Sequence, residues 1–414
     1  VRLTTGILRH AAQLDDAFDQ SVNRGNLSSA SARDRRFCYA IIATALRRKG
    51  EIDRILRSFL AKPLPRSAGM APEILLTAAA QILFMRVPSH AAVGLAVRIA
   101  KSDPHARHFA GVINAVGRKL AAIENLASAP TDPSINTPEW LYGNWVASYG
   151  EATAQSIALA HLTEPPLDLT VIGDPQAWAD RLGGTVAMAQ TVRLSDWLGS
   201  INDLPGFAEG QWWVQDEAAA IPARLFGEVE GKRILDLCAA PGGKTAQLAA
   251  AGAHVTAVDH SQRKVARLRD NLSRLKLTAE VIVSDALEFQ PARAFDAVLL
   301  DAPCSATGII RRHPDLPYHR RPEQISALAD LQRRMLVKAA LLVKPGGTLV
   351  FSTCSIEPLE GESHLDDLPD NLRLLPLAPG ECLTKPDWLD REGCVRTLPN
   401  QGLDGFFVMR LERI

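Results

Sequence analysis

Two cysteines close apolar runs in the C-terminal half of the chain, in Asp301-Ala302-Pro303-Cys304-Ser305 and Ser352-Thr353-Cys354-Ser355. The runs, Ala297 to Leu300 and Thr348 to Phe351, read as strands of one open parallel sheet, whose carboxyl edge is where such sheets bind ligands. Both thiols then emerge at one site as potential nucleophiles. A non-acidic aromatic carbon, such as carbon 5 of a pyrimidine, takes a methyl group only after a nucleophile adds at carbon 6 and makes it enamine-like. Thiols suit that addition. At a reference pKa near ~8.5 only a few per cent is thiolate at neutral pH, yet that fraction is strongly nucleophilic. One cysteine after a strand is more often a small core residue. Periodicity gives no reason for Pro-Cys-Ser beside Thr-Cys-Ser.

The pair needs a methyl donor, and a donor site lies upstream. Ile234 to Leu237 reads as a strand, and Cys238, Ala239, Ala240, Pro241, Gly242, Gly243, Lys244 and Thr245 as the turn that opens a helix from Ala246 to Ala251. Glycines let backbone approach a ligand closely, and helix-opening amides welcome a carboxylate. The next strand, His254 to Val258, ends in Asp259, where an acid binds ribose hydroxyls, and a third, Glu280 to Val283, is followed by Asp285. With Asp301, three acids at successive strand ends argue for an adenosine-containing cofactor. Gly243-Lys244-Thr245 also suggests a phosphate-binding loop, but that motif needs glycine where Cys238 stands.

Leu235 to Thr245, Asp301 to Gly308 and Ser352 to Ser355 together resemble the Sun-type (Fmu/RsmB-like) bacterial ribosomal RNA cytosine-5 methyltransferases. The resemblance implies S-adenosylmethionine as cofactor, held by residues 238–244, Asp259, Asp285 and Asp301, with Lys264 near it. It also implies that Cys354 attacks and Cys304 assists product release; the residues alone leave that order open, because DNA cytosine-5 methyltransferases attack with the Pro-Cys thiol. Asp301 would then hydrogen-bond the nitrogen-3 side of the base and stabilise negative charge developing in the ring, and Lys244 would keep the site electropositive. Three positions depart from the family pattern: Lys264 for arginine, Phe351 for tyrosine and Gly361 for asparagine.

At 414 residues the chain exceeds one typical core. Apolar residues at helical spacing from Phe37 to Leu120, divided by breakers at Gly50, Pro63 to Pro65, Pro88 and Pro104, predict a bundle over 1–128. It resembles the NusB-like RNA-binding domain of such enzymes. Ala127 to Pro138 reads as a linker and 137–208 as a small α+β RNA-binding subdomain. The remainder, 209–414, is expected to be an α/β Rossmann-like methyltransferase domain in which strands near Cys394 to Thr397 and Phe406 to Leu411 complete a seven-stranded sheet.

Formal net charge is zero, so bulk attraction to RNA is not expected. Ser31 to Arg66 is nonetheless locally basic, and Arg35, Arg36, Arg47 and Arg48 are candidates to follow a phosphate backbone. Arg311, Arg312, His313, Arg320 and Arg321 are candidates to meet phosphates near the target base. No segment reads as a signal peptide or membrane span, and the six cysteines lack Cys-x-x-Cys spacing, so neither a disulfide framework nor a metal site is expected. The expectation is a cytoplasmic monomer acting on small-subunit (16S) ribosomal RNA. The alternatives are a DNA cytosine-5 methyltransferase and a ribosome-assembly factor that binds RNA without turnover.

Overall fold

The computed structural model describes residues 1–123, 132–195, 197 and 199–414. The expected linker and the end of the bundle at 128 fall partly or wholly outside them. The chain clusters into two compact units, Val1–Thr163 with Ile310–Arg320, and Glu164–Ile309 with Arg321–Ile414.

The first unit is helical: α1 (Arg2–His10), α2 (Leu14–Arg24), α3 (Ala32–Arg47), α4 (Lys49–Phe59), α5 (Ala71–Leu83), α6 (Ser89–Ser102), α7 (Ala110–Ala121), α8 (Glu139–Tyr149) and α9 (Glu151–Ala160). Local chemistry sets the starts. Ser31 Oγ accepts the Asp34 N–H at 3.1 Å to open α3, and Pro88 immediately precedes α6. Helix α5 is buried on most sides because alanines 78, 79 and 80 let its neighbours approach, packing with Ala96, Ala100, Ile113 and Val116 of α6 and α7.

In the second unit the elements are β1 (Leu167–Val171), α10 (Pro175–Leu182), β2 (Thr185–Met188), β3 (Thr191–Leu194), β4 (Trp212–Val214), α11 (Ile221–Arg224), β5 (Arg233–Leu237), α12 (Gly243–Ala250), β6 (His254–Asp259), α13 (Gln262–Leu275), β7 (Glu280–Val283) and β8 (Phe295–Asp301). After α14 (Leu316–His319), which belongs to the first unit, come α15 (Pro322–Leu342), β9 (Val343–Thr353), β10 (Leu372–Leu374), β11 (Val395–Thr397) and β12 (Phe406–Arg413). A small antiparallel sheet has the order β2-β3-β1-β4. Strand β4, expected to lie in the methyltransferase domain, thus completes the subdomain's sheet. Its alternation explains the double allegiance: Trp212 packs with Leu169 and Val171, whereas Trp213 packs with Ala239, Ala246 and Leu268.

The large sheet runs β10-β12-β9-β8-β5-β6-β7, with β11 on β12. That makes eight strands, not the expected seven, the addition being the three-residue β10 paired to the end of β12. Neighbours from β9 through β7 are parallel, and β12 enters antiparallel. Period-two alternation feeds both faces: Val298, Leu300, Leu349 and Phe351 face α15, while Ala297, Leu299 and Val350 join Ile221 and Leu225 on the other side. Among the described residues no helix is long and apolar enough to cross a membrane.

The segment 310–320 is where the first unit borrows from the later sequence. Asp315 Oδ2 accepts the Leu14 N–H at 3.0 Å, capping α2 from a distant part of the chain. Tyr318 donates its hydroxyl to the Leu46 carbonyl at 2.7 Å, and Arg47 donates to the Arg311 carbonyl at 2.9 Å. Arg311 is buried, and His313 Nδ1 lies 3.2 Å from Asp15 Oδ2. These residues hold the helical unit together, and the burial of Arg311 corrects the expectation that it is presented to phosphates.

Candidate active site

Strands β8 and β9 run parallel with Asp301 opposite Ser352, so the loops that follow leave the sheet side by side. The two thiols therefore meet, with Cys304 Sγ 3.4 Å from Cys354 Sγ. Helix α12 begins at Gly243 and delivers Lys244 to the same edge. Its Nζ donates to Asp301 Oδ2 at 2.7 Å, while Ser352 Oγ donates to Asp301 Oδ1 at 2.7 Å. Burial alone would lower the Lys244 pKa, but Asp301 and then Cys354 outweigh it and raise it. A lasting ammonium thus stands near one thiol of the pair.

The thiols are not equivalent. Cys304 is pushed well above its ordinary value, first by sharing a hydrogen bond with Cys354, then by burial, then by the charges of Cys354 and Glu360. The groups around Cys304 disfavour its charged form, while the Lys244 ammonium lies near Cys354. Asp301, already in an ion pair, is an acceptor for a base's hydrogen-bond donors. Lys244, not Asp301, is the group able to offset negative charge in the ring.

The turn before α12 uses much of its own backbone. Ala239 N–H bonds to Val258 O at 3.1 Å, Gly242 N–H to Ala239 O at 2.9 Å, and Ala240 N–H to Asp259 Oδ2 at 3.2 Å. An incoming carboxylate is left with the amides that open the helix, starting at Gly243. Gly242 takes φ of 103°, and a Cβ there would stand 3.0 Å from Leu268 Cγ, so only glycine fits this close approach. Cys238 also has positive φ, and its thiol is pushed up by burial and then by Asp301, Asp259 and Asp236. Its expected place is in the turn, not among the nucleophiles.

Asp259 is buried and its other oxygen accepts the Ser261 N–H at 2.9 Å; Asp285 is exposed, with Oδ1 accepting the Leu287 N–H at 2.8 Å. Lys264 is exposed on the first turn of α13. Beneath the turn, Asp236 Oδ2 accepts the Thr245 hydroxyl at 2.6 Å, whereas Oδ1 is buried without a hydrogen-bond partner. Burial raises the Asp236 pKa to about 7, against the Thr245 hydrogen bond. A glycine-lined turn, a buried unsatisfied acceptor and acids at the ends of β6, β7 and β8 fit a cofactor carrying ribose and an amino acid moiety.

Sequence reasoning passed over Asp236, Ser352, Gln332 and Glu360. Gln332 and Asp236 had a signal: each is a polar residue inside an otherwise apolar stripe or strand. Of the proposed phosphate-binding arginines, Arg35 donates to Leu27 O and Ser28 O at 3.0 and 2.6 Å, and Arg48 lies 3.3 Å from Glu51 Oε2 and 5.0 Å over Phe84. With Arg47 bonded to Arg311 O, three of the four are structural; Arg36 is exposed, as are Arg33, Arg54 and Arg57.

Comparison with known proteins agrees with this geometry. Residues 223–412 match the family model of the 16S rRNA methyltransferase RsmB/F, and residues 2–122 match the NusB family. Ribosomal RNA small subunit methyltransferase B of Vibrio cholerae is 37% identical, with 80% of each chain covered. The protein of that name from Pseudomonas putida is 35% identical, covering 94% of this chain and 92% of its own. Among solved structures, PH0851 superposes with a TM-score of 0.77 at 23% identity over 99% of this chain and 97% of its own, which is a likeness of fold. A methyltransferase homolog from Pyrococcus horikoshii gives 0.57 at 28% identity, covering 68% and 98%. The chain belongs to the RsmB/F family of 16S rRNA methyltransferases, enzymes that depend on S-adenosylmethionine, with a NusB-family domain at its N-terminal side.

Proposed function

We propose that this protein methylates carbon 5 of a cytosine in small-subunit ribosomal RNA through a covalent adduct on Cys354. The observation that carries the reading is the pair of thiols 3.4 Å apart beside the Lys244–Asp301 ion pair. Cys354 adds as thiolate to carbon 6 of the base, making carbon 5 nucleophilic. Asp301 orients the base by accepting from its amino group, and the Lys244 ammonium offsets the charge that develops in the ring. S-adenosylmethionine, when bound, supplies an electrophilic methyl group; Gly243 and the amides after it, Asp259, Asp285 and Lys264 are the residues to hold it. Once Cys354 is bonded to carbon 6 its charge no longer holds the Cys304 proton; Cys304 releases that proton to solvent and, as thiolate, takes the carbon-5 proton, while the carbon-6–sulfur bond breaks and Cys354 leaves as thiolate. The target must be single-stranded or flipped out, because neither ring face is open inside a stack.

In this reading 1–128 is a helical RNA-binding domain to whose compact unit α8 and α9 belong, 164–208 with β4 is a small RNA-binding subdomain, and the rest of 209–414 performs the chemistry as a cytoplasmic monomer. A DNA-type mechanism would put the charge on Cys304, whose thiol is pushed well above its ordinary value by its hydrogen bond with Cys354, burial and nearby charge. Bisulfite mapping of 16S ribosomal RNA from cells with and without the protein tests the proposal. One cytosine that loses protection in the deletion and regains it on complementation is the expected result; an unchanged map would reject it.

A further inference from the structure

One buried carboxylate beneath the cysteine loops has no part in the steps above. Glu360 is 0% exposed. Its Oε1 accepts the Ser305 N–H at 2.8 Å and the Gln332 side-chain amide at 3.2 Å, and its Oε2 accepts the Ser305 hydroxyl. Its backbone carbonyl accepts the Thr353 hydroxyl at 3.0 Å. One residue thus grips the position after Cys304, the position before Cys354, and α15. Gln332 also donates to Pro303 O at 2.8 Å and is itself fixed by His364 Nε2 at 2.8 Å. The loops are further joined where Ser305 Oγ lies 3.2 Å from Ser355 Oγ. Among the described residues no cation pairs with this carboxylate. Burying an unneutralised charge is costly, and glutamine would fill the same space and keep most of these contacts. The charge itself therefore calls for a role.

We propose that Glu360 is a positioning residue which, on the covalent reading above, sets the two cysteine loops and assigns the pair's remaining proton to Cys304, so that Cys354 becomes the thiolate. Lys244 stands by Cys354 and Glu360 acts on Cys304, so the two charges polarise the thiol pair in the same direction. The other ionisable groups packed on these loops are accounted for. Asp301 is paired with Lys244, and Glu357 is buried at the backbone beside Ser355. Arg396 is paired with Glu362 and donates to Ser355 O at 2.6 Å. His364, lowered to about 4 by burial and then Arg333, is neutral above that pH.

The test is alkylation of RNA-free enzyme with iodoacetamide, which consumes thiolate, with each cysteine scored by mass spectrometry across pH. Wild type should label Cys354 ahead of Cys304. Glu360→Gln, which keeps the shape and loses the charge, should raise Cys304 labelling relative to Cys354 by ~10-fold and move its pH profile downward. Ser305→Ala removes a tether and keeps the charge, so the preference for Cys354 should persist. An unchanged ratio in a folded Glu360→Gln enzyme would overturn the proposal. If that variant does not fold, Ser305→Ala decides: loss of the preference there would assign the effect to loop geometry alone and overturn it equally. RNA methylation is scored separately; an inactive wild type with the expected labelling would fault the proposed reaction, not the role of Glu360.

Discussion

The side chain that Gly361 lacks is replaced in space by the guanidinium of Arg396. A Cβ at 361 would run into Arg396 Nη2 and stand 2.9 Å from Phe407 Cγ. Arg396 is held there by Glu362, at 2.8 Å through Nε and 2.6 Å through Nη2, and lies 5.1 Å over the Phe407 ring. From this position it reaches the Ser355 carbonyl, next to Cys354. The asparagine that the family pattern has at 361 is thus incompatible with this arginine placement. Gly361→Asn should destabilise the protein by about 1–3 kcal/mol through overpacking. In a double-mutant cycle with Arg396→Ala, measured by denaturant unfolding, the combined loss should be smaller than the sum of the two single losses. Strict additivity would show that the two sites do not compete for space.

Asp236 gives a pH dependence of definite sign. Its folded-state pKa is raised to about 7 from 3.8. A raised value means that its contribution to stability is fully present below the unfolded pKa and is lost as pH rises through about 7. Asp236→Asn should therefore be more stable than wild type at pH 8, by at least ~1 kcal/mol, with the gap closing toward pH 4. Unfolding curves at the two pH values check it. A gap that stays constant with pH would mean that Asp236 does not titrate in this range.

Two of the acids expected at the cofactor differ in what else they do. Asp259 joins Ala240 to Ser261 from a buried position, whereas Asp285 is exposed and caps its own turn at Leu287. Charge-assisted hydrogen bonds are worth about 1.5–3 kcal/mol, or ~10-fold to ~150-fold in affinity. Asp285→Ala should weaken S-adenosylmethionine with little change in melting temperature; Asp259→Ala should lower both. Calorimetry paired with thermal unfolding separates the two outcomes, and unchanged affinity in both variants would remove these acids from the site.

The strands carrying both cysteines were legible because short continuous apolar runs ending in Asp-Ala-Pro-Cys and Ser-Thr-Cys match buried strands of a parallel sheet. The donor turn was legible because Gly242 and its neighbours need backbone conformations that most residues avoid. Strand β10 was not, since three residues are too few to show alternation. Segment 310–320 was not, because its partners Leu14 and Leu46 lie far away in sequence and a local pattern cannot report them. Basic residues looked alike in the sequence, but Arg35, Arg47 and Arg48 turn inward to carbonyls and a carboxylate while Arg33 and Arg36 stay in solvent.

That sorting changes which residues should grip RNA. Neutralising Arg33, Arg36, Arg54 and Arg57 together should weaken RNA binding and flatten its dependence on salt, by about 0.7 in slope for each single-strand phosphate that is no longer neutralised. Neutralising Arg35, Arg47 and Arg48 should instead lower the melting temperature, because carbonyl acceptors and Glu51 lose their donors. Filter binding over a range of salt concentrations checks the first group. The same slope for that variant and for wild type would mean that this face does not hold RNA.

The two cysteines separate most sharply by what each leaves behind on RNA. Cys354→Ala should abolish methylation and form no covalent complex, since without the carbon-6 adduct carbon 5 never becomes nucleophilic. Cys304→Ala keeps the attacking thiol and the Lys244–Asp301 pair, so addition and methylation proceed while loss of the carbon-5 proton stalls. A protein–RNA adduct that survives denaturing electrophoresis should then accumulate when S-adenosylmethionine is present, and the double mutant should trap nothing. The surroundings of Cys304 point the same way, because its hydrogen bond with Cys354, burial and nearby charge push its thiol well above its ordinary value and make it a poor thiolate. An adduct seen in Cys354→Ala but not in Cys304→Ala would reverse the assignment, and full activity in Cys354→Ala would exclude the mechanism.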